Sequence, residues 1–515
     1  MKMKRILAVG VTLALGGLTY ATAQTMDDLV LYSLEDQTGS ARAVGLGGAL
    51  GAVGGDMASM AGNPAGLGMY RGMEFSGTVS LGGHAVRTRF VDQKSIARRL
   101  VPGFDGTAAI FSLRVGDVDK TSGLLRVNFG IGYNKLQSFR FRQSYKAEVN
   151  DGNSLLAAIA SESNAQGLVG NNLLRGNSYV PYDTQPWFPA AAYGSYLMLD
   201  GSPKGTFKAP WILSGTAGFV DERLRQSVVK DSRGSLGEID MSVAFNVTNR
   251  IYFGATLGIQ LLEREVNTRM REETAEEKDA GLLWGQFNSY DRVKGAGVNL
   301  KLGALYRPVD ALRIGLAFHT PTFMNVENRF SLSARGEYRN PDTVYGEPEV
   351  PKTADSSGVY EGEFSYTGPM RAMASLAYSF GKRGLVTAEY EMTYLPLMQF
   401  SGMDYAQDNE DIEKYLLPTH EVRAGTEWFF GALGVRLGGG FRTSPYRADE
   451  FSPLRWRMYV SGGIGYYGSY FFCDFAYRHT IQPGEGYMYQ MGGYQRAYDS
   501  RFYRGTGLLT FGFRF

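Results

Sequence analysis

The residue types that catalyse reactions are present in this 515-residue chain, but not at the spacings that reactions need. No Gly-x-Ser-x-Gly turn offers a strained serine nucleophile, no Gly-x-x-x-x-Gly-Lys-Ser/Thr loop cradles a phosphate, and no His-Glu-x-x-His pairs two imidazoles on one helix face. The four histidines, His84, His319, His420 and His479, are scattered, whereas a metal or haem receptor clusters its ligands. Gln407 to Lys414, "QDNEDIEK", is acidic but lacks the EF-hand spacing of oxygen ligands. The glycines from Gly45 to Gly55 have neither the preceding strand nor the following lysine of a phosphate loop. Cys473 is the single cysteine, which excludes an internal disulfide and fits a small apolar side chain. The sequence therefore predicts no enzyme, no cofactor and no metal.

What the spacing does mark is a backbone shape. Gly55 to Gly68 reads "GDMASMAGNPAGLG": a proline that fixes φ and lacks a donor, set among glycines that allow any φ, describes a compact irregular fold such as a plug or a tight junction. Asp56, Asn63, Pro64, Ala65 and Gly66 are the candidate residues of a plug and gating junction, expected to hold the plug in place while the segment before it moves. Pro64 cannot complete a strand ladder, so a gap or kink in backbone pairing is expected where it meets a sheet.

The surroundings say what the junction belongs to. Residues 1–23 have a basic start (Lys2, Lys4, Arg5), an apolar middle and a small-residue end, Ala21-Thr22-Ala23, the pattern of a signal peptide. Beyond it no apolar run is long enough to span a bilayer as a helix, so an exported chain is either soluble or a membrane barrel. The 67 Gly, 32 Tyr and 30 Phe, with only 20 % charged residues, favour packed strands and interfacial aromatic girdles. A formal charge of +2 gives no reason to expect nucleic acid.

The last residues, "RGTGLLTFGFRF", put Leu509, Phe511, Phe513 and Phe515 on one face and Arg504, Thr506, Thr510 and Arg514 on the other, an apolar outside and a polar inside. Phe511, Phe513 and Phe515 are the expected signal for the barrel assembly machinery. The same alternation recurs along the chain, for example at Ile251/Phe253/Ala255/Leu257/Ile259 and at Val298/Leu300/Leu302/Ala304/Tyr306. Short connections at 248–250, 308–311, 381–383, 431 and 468 alternate with long polar ones at 91–106, 144–234, 265–290, 324–358, 400–414, 444–453 and 481–503. This pattern predicts an all-β transmembrane antiparallel barrel of fourteen strands over 70–515, with 144–234 and 324–358 as the longest outer loops and both termini periplasmic. Ala209 to Val220 is assigned by parity to the first of these loops, together with a helix over Asn153 to Ser163. Residues 24–69, too few for a domain and too glycine-rich for a strand, are expected to fill the lumen as an N-terminal plug.

"GLGGALGAVGGDMASMAGNPAGLG" resembles the N-terminal signature of the FadL-type family of outer-membrane transporters for long-chain fatty acids and other hydrophobic compounds. Asp56, Ala58, Ser59, Asn63, Pro64, Ala65, Gly66 and Leu67 carry the match, and Gly295 to Pro321 is similar to a hairpin of that family. The resemblance implies a plugged barrel in the outer membrane that captures a hydrophobic or amphipathic small molecule at its loops and releases it sideways through the wall among the membrane lipids. Two other readings stay open at this point: a scaffold or shuttle for a secreted protein partner, as in some relatives of the family, and a general porin.

Overall fold

The computed structural model describes residues 25–36, 39–116, 121–173, 185–201, 203–211, 223–275, 282–338, 353–402, 405–447 and 452–515. The expected signal peptide and most of Ala209 to Val220 lie outside the described residues.

Fourteen antiparallel strands form the wall. The first four are β1 (Glu74–Phe90), β2 (Gln93–Arg114), β3 (Leu124–Ser138, continued by Phe141–Val149) and β4 (Leu224–Val247). Next come β5 (Ile251–Thr274), β6 (Leu282–Val309), β7 (Leu312–His319, continued by Phe323–Tyr338) and β8 (Thr353–Thr367, continued by Met370–Ser379). The rest are β9 (Gly384–Tyr394), β10 (Thr419–Phe430), β11 (Leu433–Arg442), β12 (Arg457–Tyr467), β13 (Phe471–Met491) and β14 (Tyr494–Arg514). Each pairs with its sequence neighbours, and β14 returns to β1 from Glu74↔Arg514 to Phe90↔Tyr498, so the sheet closes on itself as a barrel.

Side chains alternate across this wall as its period of two requires. Phe253, Leu257, Leu300, Leu302, Phe475, Phe511 and Phe513 are exposed on the outside, while Thr256, Gln260, Asn299, Lys301 and Thr510 are buried on the inside. Apolar groups outside and polar groups inside invert a soluble protein, because the outer solvent here is hydrocarbon.

The long connections are shorter than the sequence predicts. Residues 91–106 form most of a tight β1–β2 hairpin rather than a loop, and residues 481–503 form the β13–β14 hairpin around Gly492-Gly493, whose φ angles of +58° and +82° suit glycine. Strand also runs into the expected loops 144–234 (to Val149 and from Leu224), 265–290 and 324–358 (to Tyr338 and from Thr353). The physical reason is common to all. Above the hydrocarbon the outer face meets water, so Glu263, Glu265 and Arg269 replace the apolar partners and the alternation vanishes, although the backbone ladder continues.

Three expected strands are interrupted. β3 bends at Phe139-Arg140, β7 at Thr320-Pro321-Thr322 and β8 at Gly368-Pro369, and the strand expected over 384–399 ends at Tyr394 before a 3-10 turn, Leu395–Leu397. Proline, which has no N–H for the ladder, marks three of these four breaks. The mouth away from the chain termini holds an apolar cluster in which the α-helix Leu155–Ala165 and the helix Trp187–Gly194 pack on Phe90, Tyr145, Phe287, Leu332 and Tyr489 from five strands.

Candidate functional site

Residues 25–70 run along the inner face of the wall. Helix α1 (Met26–Ser33) opens with Thr25 and Asp28 as a reciprocal capping pair, and buries Met26, Leu29, Val30 and Tyr32 against Leu262, Val293, Met324 and Phe364. Its charged side chains are all engaged. Arg264 Nη1 donates to Asp28 Oδ1 at 2.9 Å and Tyr446 Oη donates to Asp27 Oδ1 at 2.5 Å. Burial pushes the Asp27 carboxyl up to about 7, against the opposing effect of the tyrosine hydrogen bond.

The turn after α1 is held by cations from four strands. Glu35 pairs with Arg371 of β8, whose Nη2 also donates to Ser33 O at 2.6 Å. Asp36 pairs with Arg457 of β12, and Arg504 of β14 approaches its other oxygen at 3.4 Å. Arg442 of β11 donates to Glu35 O at 3.1 Å. Sequence reading missed this cluster. Its signal was present, because each arginine falls at an inward position of an alternating strand.

Helix α2 (Ala41–Gly45) follows, and its N-cap Ser40 accepts from Ala43 N at 2.9 Å and donates to the Asp56 carboxylate at 2.7 Å. Asp56 in turn caps a short 3-10 turn through Ala58 N at 2.9 Å, so this buried carboxylate ties two turns of the segment together. Arg42 reaches Glu427 of β10 at 2.8 Å, and Gly51 N donates to Glu389 of β9 at 2.6 Å.

Asn63 caps the 3-10 turn Pro64–Met69 by accepting from Ala65 N at 3.1 Å, with Pro64 at the first position, where its missing N–H would be unused. Asn63 Nδ2 donates to Gly51 O at 2.8 Å and to Ala304 O of β6 at 3.3 Å. The turn nests against wall glycines. A Cβ on Gly254 would lie 2.3 Å from Pro64, and one on Gly303 would lie 2.1 Å from Asn63 Oδ1. Ala65 is fully buried, and Gly66 O accepts from Gly55 N at 3.0 Å. The expected break in pairing is not at this place. β5 and β6 pair without interruption opposite Pro64, because the proline sits in a 3-10 turn and not in a ladder.

A break in pairing lies between β2 and β3. Their pairing runs only from Gly106↔Asn134 to Arg114↔Arg126; above that, β2 pairs with β1 alone and the bent half of β3 with β4 alone. Side chains bridge the opening: Arg99 Nη1 of β2 reaches Phe141 O of β3 at 3.4 Å and, in β4, Asp231 at 2.8 Å and Ser232 O at 3.1 Å, Arg140 Nη1 reaches Pro102 O at 3.2 Å, and Lys135 pairs with Asp105. A cavity of about 460 Å³ opens there, lined by Val101, Pro102, Phe104, Tyr133, Ser138 and Arg140. It shares Tyr133 and Ser235 with a groove of about 720 Å³ that reaches the outward residues Leu261 and Ala296.

Phe511, Phe513 and Phe515 lie together on the outside of the barrel, exposed by 51 %, 56 % and 73 %. Phe515 also closes the seam, since Met73 N donates to its carbonyl oxygen at 2.9 Å.

No family model matches the sequence, and no curated protein does. Solved structures are similar in fold. A Pseudomonas aeruginosa FadL homologue aligns over 94 % of this chain and 99 % of its own at 12 % identity, with a TM-score of 0.52. The P. putida toluene transporter TodX aligns over 93 % of this chain and 99 % of its own, also at 12 % identity, with a TM-score of 0.50. At such identity the likeness establishes the fold, the fourteen-stranded outer-membrane barrel of FadL-type channels.

Proposed function

We propose that this protein takes up hydrophobic or amphipathic small molecules, of the kind a long-chain fatty acid represents, passively across an outer membrane. Residues 24–69 act as the plug, both termini face the periplasm, Phe511, Phe513 and Phe515 engage the barrel assembly machinery, and Asn63-Pro64-Ala65 anchors the plug to the wall. The observation that carries this reading is the parting of β2 from β3 beside an occupied lumen. In this reading an apolar solute that enters through the apolar cap leaves sideways to lipid along that opening. The hydrocarbon named for TodX fits such a path, since a solute of that kind gains by leaving into a bilayer.

Two variants test it. Filling the wall opening with Val101→Trp and Ser138→Trp is expected to reduce uptake of a hydrophobic probe by reconstituted barrels without changing assembly; unaltered uptake would place the route elsewhere. Removing Gln24 to Gly62 is expected to turn a barrel of low conductance into one that passes ions in planar bilayers. If the truncated barrel assembles and its conductance is unchanged, the segment is no plug.

A further inference from the structure

The lipid-facing surface of the barrel ends, over β14, β1 and β2, in a group of cations. On β14 the outward residues from Phe513 to Tyr503 climb about 25 Å at about 3.3 Å per residue and a tilt of about 40°, the height of a barrel's apolar band. The next outward residue is Arg501, directly opposite Arg87 of β1. One step higher, Arg89 stands directly opposite Lys94 of β2, while Arg98 of β2 faces Ala85. All five cations are exposed, and among the described residues none of them makes an ion pair. Arg87 instead lies over the Tyr503 ring, 5.5 Å from its centroid. Like charges opposite each other in a ladder repel, so this face holds two unfavourable pairs side by side.

Nearby acids do not balance them. Two carboxylates share the patch, Asp499 opposite Arg89 and Asp92 in the β1–β2 turn. Those on the flanking strands are engaged: Glu485 of β13 with Arg455 at 2.6 Å, Glu148 of β3 with Arg225 at 2.8 Å, and Asp231 of β4 with Arg99 at 2.8 Å and Arg233 at 3.1 Å. The far wall at the same height is built differently. Above the apolar run Ile251 to Leu261, Lys294 pairs with Glu263 at 3.2 Å, Arg292 with Glu265 at 3.3 Å and Arg329 with Glu361 at 3.4 Å. A charged rim therefore does not of itself require unpaired cations. Directly beneath them Leu81, Leu100 and Phe104 are 55 %, 68 % and 50 % exposed, and a Cβ on Gly83, between the two leucines, would meet nothing within 4 Å.

We propose that the outer face of β14, β1 and β2 seats a phosphorylated lipid of the surrounding leaflet, with its acyl chains on Leu81, Leu100 and Phe104 and its phosphates on Arg87, Arg98 and Arg501. Guanidiniums take phosphate oxygens two at a time, and basic groups at a membrane surface gain from anionic headgroups. A free phosphate would use the arginines alone, whereas a lipid also covers the apolar rows below them. The seat is on the outside of the barrel, so it is independent of what the lumen transports.

The test titrates the full-length barrel, in dodecyl maltoside, with the diphosphorylated glycolipid lipid A and counts bound lipid by native mass spectrometry. Wild type is expected to retain lipid A at least about tenfold more tightly than its dephosphorylated form, and excess inorganic phosphate is expected not to displace it. Arg87→Gln with Arg501→Gln should weaken retention about tenfold or more. Arg292→Gln with Arg329→Gln, at the same height on the far wall, should leave it unchanged. Each variant is compared only as folded barrel, judged by its mobility on unheated gels, and Arg89→Gln with Lys94→Gln replaces the first pair if that pair does not assemble. Equal retention of the dephosphorylated lipid, displacement by the bare ion, unaltered retention in the β14–β1–β2 variant, or an equal loss in the far-wall variant would each overturn the proposal.

Discussion

At the scale of single residues, Asp27 is the group whose protonation bears most directly on docking. Its carboxyl is buried beside Tyr446, with Asp28 and Arg264 close by, and it titrates near 7 in place of 3.8. The docked helix thus binds a proton that the released helix gives up. Docking is strongest below about pH 4, weakens as pH rises, and levels off above about pH 7. Hydrogen exchange of α1 amides, corrected for its intrinsic rise with pH, is expected to quicken between about pH 4 and pH 7. Asp27→Asn, which keeps an acceptor for the tyrosine, should remove most of that difference; an unchanged pH profile would assign the effect to another group.

At the scale of elements, the 3-10 turn Pro64–Met69 and the glycines of β5 and β6 form one fitted contact. Valines at positions 63 and 64 lose the Asn63 bonds to Gly51 and Ala304 and add bulk against Gly254 and Gly303. Asn63→Val with Pro64→Val is expected to weaken docking of the segment by about 1–3 kcal/mol, through lost hydrogen bonds to buried carbonyls. The readout is hydrogen exchange over residues 50–70 and probe uptake per folded barrel. Wild-type exchange with a smaller yield of folded protein would make the turn a folding element alone.

Elements also divide by how plainly the sequence announces them. Strands inside the hydrocarbon, such as the Phe511/Phe513 face of β14, alternate without ambiguity because lipid selects one face. Their extensions above it do not, and Gly492-Gly493 between alternating aromatics was the overlooked cue that 481–503 is a hairpin. The helix expected over Asn153 to Ser163 is observed over Leu155–Ala165, with Leu155, Leu156 and Ile159 buried. The Asn-Pro turn was legible as a shape, yet its partners were not, since Gly254 and Gly303 lie some two hundred residues away in sequence. The opening between β2 and β3 was less legible still. It follows from a bend at Phe139-Arg140 that carries neither proline nor glycine.

At the scale of the whole molecule, the even number of strands puts both chain ends on one side of the barrel, and the proposed function makes that side the periplasm. Turns such as Thr248-Asn249-Arg250 belong to one side, and the helix Ala406–Tyr415 to the other. In a Cys473→Ser background on intact cells, a membrane-impermeant thiol reagent is expected to label Asp408→Cys and to spare Asn249→Cys. The opposite pattern would invert the barrel in its membrane.

The closure of β1 on β14 also constrains the order of events during biogenesis. The N-terminal segment is made first, yet many of its bonds are to strands made last: Ala41 N to Thr510 of β14 at 2.7 Å, Gly47 O to Tyr459 of β12 at 2.9 Å, Arg42 to Glu427 of β10. It also binds early strands, with Leu67 O accepting from Asn128 of β3 at 2.6 Å. Contacts this distant in sequence form slowly. The segment therefore completes its docking no earlier than the last hairpin takes its place beside the first strand.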